Sequence, residues 1–288
     1  MVMEAESMKV REIMSEKPIV GHVPGSRRET LRILVKNDIT GLPIVNRGTG
    51  IFEGLVTRQD FFEHPEENQL ALIMKKDYPS VRPETSVTDA AKILVERDFH
   101  HLPVVDSKKH VVGIVTPADF LVIVEKNRIK TPVGELIRSP CIPIYEKTPL
   151  RVAAAITGVS NVYALPVLND AGRLSGIITD RDIFNLHMVN AKMAISDLGM
   201  SDDMDKWAWE GVSNVMKLYY EVSKINLPKI MVRDIMIKKP LTAFEKTPIC
   251  EAARVMRKND YGQLPVRDAK DKLRGMLYEL DTLVTLIG

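Results

Sequence analysis

Three short patterns recur four times along the chain at nearly constant spacing, and this repetition constrains the fold more than any other feature of the sequence. Each copy opens with an amphipathic segment that ends at a proline. An apolar-Pro-apolar run follows, which reads LPIV, LPVV, LPVL and LPV in the four copies. The third pattern is a glycine, two apolar residues, a hydroxyl-bearing residue and an acid, and it reads GLVTRQD, GIVTPAD, GIITDRD and GMLYELD.

The spacing of these patterns argues against chance. The glycine and the acid lie 6 residues apart in every copy, and the two prolines lie 24 to 26 residues apart. The glycines follow one another at steps of 59, 63 and 99 residues, so the last step is 36 residues longer than the one before it. We therefore predict four repeats and one insertion with a helix in it. The repeats cover 8–66, 67–128, 129–188 and 229–288, and the insertion or linker covers 189–228.

Each repeat is predicted to have the order βαββα. In the second copy Val87, Ala90, Ala91 and Leu94 keep the spacing of one helix face. Two apolar strands over 102–106 and 111–116 read as a hairpin, and a second apolar helix is predicted to begin at or after the acid. The fold class is α+β. One such unit is too small to bury both faces of its sheet, so the copies must pack against one another.

Charge and composition narrow the function classes. Forty Lys and Arg balance thirty-eight Asp and Glu to a formal charge of +2, which argues against bulk electrostatic binding of nucleic acid. No apolar run approaches the length of a membrane span, and the N-terminal stretch has acids where a signal peptide carries basic residues. The expectation is a cytoplasmic protein. Cys141 and Cys250 are isolated, so neither a disulfide nor a metal site is predicted.

The repeated LPVVD followed by GIVTPAD resembles the pattern of cystathionine β-synthase (CBS) domains. Four copies without an attached enzyme resemble the stand-alone regulatory proteins of archaea, and the architecture is similar to that of the AMP-activated protein kinase gamma subunit. The resemblance implies two Bateman modules, repeats 1 with 2 and 3 with 4, packed as a disc. It also implies a non-catalytic metabolite sensor that needs no cofactor, binds AMP, ADP or ATP between paired repeats and signals to an effector protein, with a homodimer as a further option.

By this resemblance the motif residues acquire roles in binding. The acids would accept hydrogen bonds from the ribose hydroxyls, because an ionised carboxylate is an acceptor only. The hydroxyls, two arginines inside the motif and a histidine before the second LPV run would contact phosphate, of which Arg181 is the stronger candidate arginine. The ribose residues are Asp60, Asp119, Asp182 and Asp281. The phosphate residues are Thr57, Thr116, Thr179, Arg58, Arg181 and His101.

Several alternatives stay open at this point. Thr-x-x-Asp before an apolar run is also a helix capping box, which needs no ligand. His101 has the alternative of a surface histidine with satisfied hydrogen bonds. Tyr278 replaces the threonine of the fourth copy, and its bulk would intrude on a phosphate there.

The function has alternatives too. The ligand could instead be S-adenosylmethionine or methylthioadenosine, because aromatic faces attract a sulfonium cation, or the chain could be a docking scaffold for protein or nucleic acid. An enzyme is disfavoured because the chain lacks GxxxxGK[ST], HExxH and GxSxG motifs. The insertion holds Trp207 and Trp209, which fits either a helix packed on the repeats or a surface that docks a partner.

Overall fold

The predicted strand–helix–strand–strand–helix order and the α+β class are confirmed. The computed structural model describes residues 7–64, 67–160, 162–183 and 230–287. The predicted insertion helix and both tryptophans lie outside these residues. In the second repeat the first strand is reduced to a single parallel bridge between Val81 and Val104. The other first strands are Gly21–Val23 (β2), Ile144–Tyr145 (β8) and Ala243–Phe244 (β12).

A long helix follows the first strand of each repeat. In the second repeat Ser86 caps it by accepting a hydrogen bond from the Asp89 backbone N–H, and Asp98 ends it in the left-handed conformation with φ 54°. Its predicted apolar face is completely buried. The four long helices are Arg27–Lys36, Val87–Arg97, Leu150–Ser160 and Ile249–Asn259.

A hairpin and a second helix complete each repeat. Leu102 lies opposite Val115 in the second hairpin, and Leu42 lies opposite Val56 in the first. The hairpin strands are Gly41–Asn46 (β3) with Phe52–Thr57 (β4), Leu102–Val105 (β6) with Val111–Val115 (β7), Ala164–Leu168 (β9) with Leu174–Thr179 (β10), and Gln263–Arg267 (β13) with Leu273–Tyr278 (β14). The second helices, here called motif helices, are Arg58–Glu63, Pro117–Lys126, helical residues 180–183 and Glu279–Thr282.

The opening segment of one repeat pairs with the sheet of its partner repeat. Strand β1 (Ser15–Glu16), from the opening of repeat 1, pairs antiparallel with β7 of repeat 2. Strand β5 (Lys75–Lys76), from the opening of repeat 2, pairs in return with β4 of repeat 1. Strand β11 (Ile237–Lys238), from the opening of repeat 4, pairs with β10 of repeat 3. We call β1, β5 and β11 the exchanged strands.

The exchange also completes the apolar cores. Leu70, Ile73 and Met74 come from the opening of repeat 2 but are buried in the core of repeat 1. Val232 and Met236, from the opening of repeat 4, are buried in the core of repeat 3. A single repeat therefore lacks part of its own core, and burial of apolar area is the main favourable term in folding.

The same openings bond to the start of the partner's long helix. Val10 N–H donates to the Thr85 carbonyl, and Val87 N–H donates to the Met8 carbonyl, with distances of 2.9 and 3.0 Å. Equivalent bonds join Arg27 with Asn68, Val133 with Thr247, and Leu150 with Ile230. They satisfy backbone N–H groups that a helix N-terminus otherwise leaves free. The pairing of repeat 1 with 2 and of repeat 3 with 4 follows directly from these contacts.

The chain divides into two units, each described by itself. The first is Met1–Leu136, Thr247–Gly262 and Tyr278–Gly288, and the second is Ile137–Lys246 and Gln263–Leu277. Inside the first unit the long helix of repeat 4 packs on the motif helix of repeat 2. There Glu125 forms ion pairs with Arg254 and Arg257, at 3.1 and 2.7 Å, and both pairs hold the pKa of its carboxyl below the usual range.

The glycine of the third pattern is required by the exchanged strand. A Cβ added at Gly54 would lie well inside 3.0 Å of the Lys75 carbonyl oxygen, which is backbone. We expect Gly54→Ala to destabilise the protein by about 3 kcal/mol, because the strand would have to move away from β4. Chemical denaturation measures this.

Gly48→Ala is the matched control for that variant. Gly48 is exposed, and an added Cβ there lies 3.5 Å from Asn46 Oδ1, an ordinary contact. Its cost should stay within about 0.5 kcal/mol. Equal losses in the two variants would contradict the close approach of the exchanged strand.

Candidate functional site

The hydroxyl and the acid of the third pattern lie at the junction of a hairpin strand and a motif helix. In all four repeats the backbone N–H at the hydroxyl position donates to Oδ2 of the acid, at 2.7 Å in repeats 1 and 2 and 2.8 Å in repeats 3 and 4. The acid thus satisfies the backbone at the helix start, as in a capping box. We name the places sites 1 to 4, after Asp60, Asp119, Asp182 and Asp281.

One expectation about this junction was wrong. The motif helix was predicted to begin at or after the acid, but in repeat 2 it begins at Pro117, directly after Thr116. Asp119 is therefore the third residue of the helix. Pro117 is compatible with the first helical position because that residue needs no backbone N–H.

In site 1 both carboxylate oxygens of the acid have partners within the protein. The Thr57 N–H and hydroxyl both donate to Asp60 Oδ2 at 2.7 Å, and Lys75 Nζ lies 3.1 Å from Asp60 Oδ1. Asp60 is 2% exposed. Lys75 belongs to the exchanged strand β5, and reasoning from the sequence missed it. The sequence does place Lys75 in the opening segment of repeat 2. That position alone does not predict that the segment pairs with β4 of repeat 1.

Arg58 of site 1 points back into its own repeat. Its Nε donates to the Ile39 carbonyl at 3.1 Å, and its Nη2 forms an ion pair with Asp38 at 2.8 Å. The side chain is 6% exposed. The contact between Arg58 and phosphate stays a prediction. Because the guanidinium is held by residues of its own repeat, a phosphate would have to reach it there.

Site 2 keeps an accessible carboxylate. The Thr116 N–H and hydroxyl donate to Asp119 Oδ2 at 2.7 and 3.0 Å, and the side chain is only half-buried. Within the described part of the chain, neither a hydrogen bond nor an ion pair reaches Oδ1. Burial raises the pKa of the Asp119 carboxyl, while the two bonds from Thr116 oppose that change. An ionised carboxylate that is partly shielded from water binds hydrogen-bond donors more strongly than one in bulk water.

His101 lies near the contact between repeats 1 and 2. Its Nε2 is 2.9 Å from Thr40 Oγ1, and its backbone carbonyl accepts a hydrogen bond from the Tyr78 hydroxyl at 3.0 Å. Burial lowers the pKa of His101 to about 3, with smaller contributions from His100 and Lys75. The ring is therefore neutral near pH 7 and supplies hydrogen bonding rather than charge. This is a buried histidine with a partner, not the surface histidine considered as the alternative.

Sites 3 and 4 differ in exposure. In site 3 the Thr179 N–H and hydroxyl donate to Asp182 Oδ2 at 2.8 and 2.7 Å, Asp182 is half-buried and Arg181 is exposed. In site 4 Asp281 is 3% exposed and Tyr278 is 7% exposed. The tyrosine that replaces threonine is thus part of the apolar interior.

Comparison with known proteins identifies the family. The model of the CBS domain family matches residues 10–67, 70–126, 133–188 and 232–287, which is most of the chain. This chain belongs to the CBS-domain family. The CBS chain is 25% identical to protein MJ1225 of Methanocaldococcus jannaschii, over 96% of this chain and 98% of that one. It is also 30% identical to protein MJ1404 of the same organism, over 73% of this chain and 42% of the relative.

Solved structures share the fold. A conserved protein from Pyrococcus horikoshii matches with a TM-score of 0.66 at 25% identity, over 97% of this chain and 100% of that one. The crystal structure of MJ1225, described as a candidate archaeal homologue of g-AMPK, matches with a TM-score of 0.73 at 20% identity, over 96% and 99%. CBS domains are in general regulatory, non-catalytic modules. Among the described residues, no helix is long and apolar enough to cross a membrane.

The buried His101 predicts a pH-dependent stability. Below pH 6.5 the unfolded chain binds a proton on this imidazole, whereas the folded chain, with its pKa near 3, does not. Stability is therefore lost as pH falls from 6.5 toward 3, by up to about 1.4 kcal/mol per pH unit. Denaturant titrations of the wild type and of His101→Gln, whose amide can still reach Thr40, measure the difference. Parallel pH profiles would contradict the assignment.

Proposed function

We propose that this CBS protein is a regulatory sensor that binds an adenosine-containing ligand at sites 2 and 3 and relays binding to a partner protein. The observation that carries the proposal is the state of Asp119 and Asp182. Each is half-buried, and the capping contacts described for each engage Oδ2 alone. Membership of the CBS family supports the class of ligand, since the resemblance to this family implies binding of adenosine-containing molecules.

A count of lone pairs supports the ribose as the group recognised. An ionised carboxylate has about four acceptor positions. At site 2 the Thr116 N–H and hydroxyl take two of them, both on Oδ2. About two remain, which is the number of donors on the 2′,3′-diol of a ribose. The half-buried setting strengthens these bonds because few water molecules compete for the carboxylate.

The charged side chains near sites 2 and 3 indicate whether each site can bind a phosphate in addition to the ribose. Arg181 is exposed beside Asp182, so site 3 offers a cation for the phosphate of AMP, ADP or ATP. Site 2 has Ala118 at the corresponding place, and the neutral His101 brings no charge. We therefore infer that adenine nucleotides bind preferentially at site 3, while site 2 selects mainly the nucleoside part.

Thermal shift in the presence of AMP, ATP, S-adenosylmethionine and methylthioadenosine tests the proposal. A ligand that binds only the folded chain stabilises it by about 2.7 kcal/mol at a hundred times its Kd. Asp119→Asn with Asp182→Asn should abolish this gain, because the amide oxygen can keep the capping bond while the amide NH2 would face the diol. Glu84→Ala, which removes an exposed acid of repeat 2, is the control.

Two outcomes would overturn the proposal. No stabilisation by any of the four compounds would exclude the sensor function. A shift that persists in the double variant would exclude Asp119 and Asp182 as the ribose acceptors. A response to S-adenosylmethionine or methylthioadenosine alone would retain the adenosyl class and reject phosphate recognition by Arg181.

Affinity at site 2 should also depend on pH. Burial raises the pKa of Asp119, and the diol needs the ionised carboxylate. Binding should therefore weaken as pH falls through this raised pKa, by at most tenfold per pH unit below it. Calorimetric titration of Asp182→Asn with adenosine, which has no phosphate to ionise, isolates site 2. Addition of Asp119→Asn should give weak binding with a flat pH profile, and an unchanged slope would contradict the role of Asp119.

A further inference from the structure

The three exchanged strands place one residue at the same register beside each motif acid. Lys75 lies opposite Leu55, five residues before Asp60. Ser15 lies opposite Ile114, five residues before Asp119. Ile237 lies opposite Ile177, five residues before Asp182. The residue at this register is a lysine at site 1, a serine at site 2 and an isoleucine at site 3. Of these three sites, only site 1 therefore has a cation at this register.

The cation at site 1 uses the acceptor positions that a ribose needs. Oδ2 of Asp60 accepts the N–H and hydroxyl of Thr57, and Oδ1 is 3.1 Å from Lys75 Nζ. Three of about four acceptor positions are thus occupied. Asp60 is 2% exposed, so the remaining position faces protein rather than a ligand.

Displacement of this lysine by a ligand is unfavourable. The Lys75 ammonium attracts the Asp60 carboxylate by Coulomb interaction as well as by hydrogen bonding, whereas ribose hydroxyls are neutral. A ligand at site 1 would exchange the stronger contact for weaker ones. At site 2 a neutral serine stands at the equivalent register, and the bonds described for Asp119 leave its Oδ1 available.

We propose that Lys75 is a specificity-determining residue that closes site 1 by occupying Asp60, and that the choice of lysine or serine at this register decides which site of the first CBS pair binds ligand. This inference rests on the proposed function. It makes the first pair asymmetric, with one open and one closed site, although both carry Thr-x-x-Asp. The sequence motif alone therefore overstates the number of binding sites.

A reciprocal exchange tests the inference, with AMP as the probe in calorimetric titration of the full chain. The Asp182→Asn background removes site 3, so the starting chain should bind one AMP. Lys75→Ser should open site 1 and raise the stoichiometry to two. Ser15→Lys should close site 2 and weaken binding at least tenfold. The second variant adds an ion pair and removes none, so it remains informative if Lys75→Ser does not fold.

The neighbouring residues supply matched controls. Lys76 pairs with Gly54 and projects to the other side of β5, so Lys76→Ser removes the same charge while the contact with Asp60 stays. Glu16→Lys plays the same part for Ser15 on β1. Both controls should bind one AMP with affinity close to that of the background chain.

The outcomes separate the two proposals. If neither the background chain nor the chain with Asp182 intact binds AMP, ATP, S-adenosylmethionine or methylthioadenosine, the proposed function fails. If the background chain binds one AMP but Ser15→Lys leaves its affinity unchanged, the specificity role is overturned. Loss of binding in Lys75→Ser with Lys76→Ser unaffected would also overturn it, because Lys75 would then attract the ligand rather than exclude it.

Discussion

The exchange of opening segments between paired repeats is the contact on which the rest of this structure depends. Each exchanged strand adds to the partner's sheet, and the residues before β5 and β11 fill the partner's core. The same segments bond to the start of the partner's long helix. Repeats 1 and 3 by themselves therefore lack a strand, part of the core and partners for backbone N–H groups. The CBS pair is the smallest part of the chain that satisfies all three needs.

This exchange also changes the environment of the motif acid Asp60. The four acids share one local geometry, because each accepts the backbone N–H at the helix start. The differences among the four acids come from residues elsewhere in the chain. Lys75 reaches Asp60 from the next repeat, Asp281 is buried, and Asp119 and Asp182 stay half-exposed. Capping and ligand binding are compatible at one carboxylate because its two oxygens serve different partners.

Much of the fold could be predicted because local patterns dictate it. Helical spacing located the long helix of repeat 2, and the alternation of apolar runs and polar turns located its hairpin. The start of the motif helix in repeat 2 was misplaced because its apolar run begins only at Phe120, whereas the helix begins three residues earlier, at Pro117. Lys75 was missed because a two-residue strand has no periodicity to detect, and its contact with Asp60 crosses from one repeat to another.

The sequence by itself determined the repeat, the order of elements and the position of every motif acid, because these depend on spacing along the chain. Only the tertiary structure decided which acids remain accessible. His101 illustrates the reason: its pKa is lowered to about 3 by burial and by neighbours that include Lys75. Burial and charge depend on what packs around a group in space. The identity of a residue is local, whereas its protonation and its free acceptors are set by the whole CBS pair.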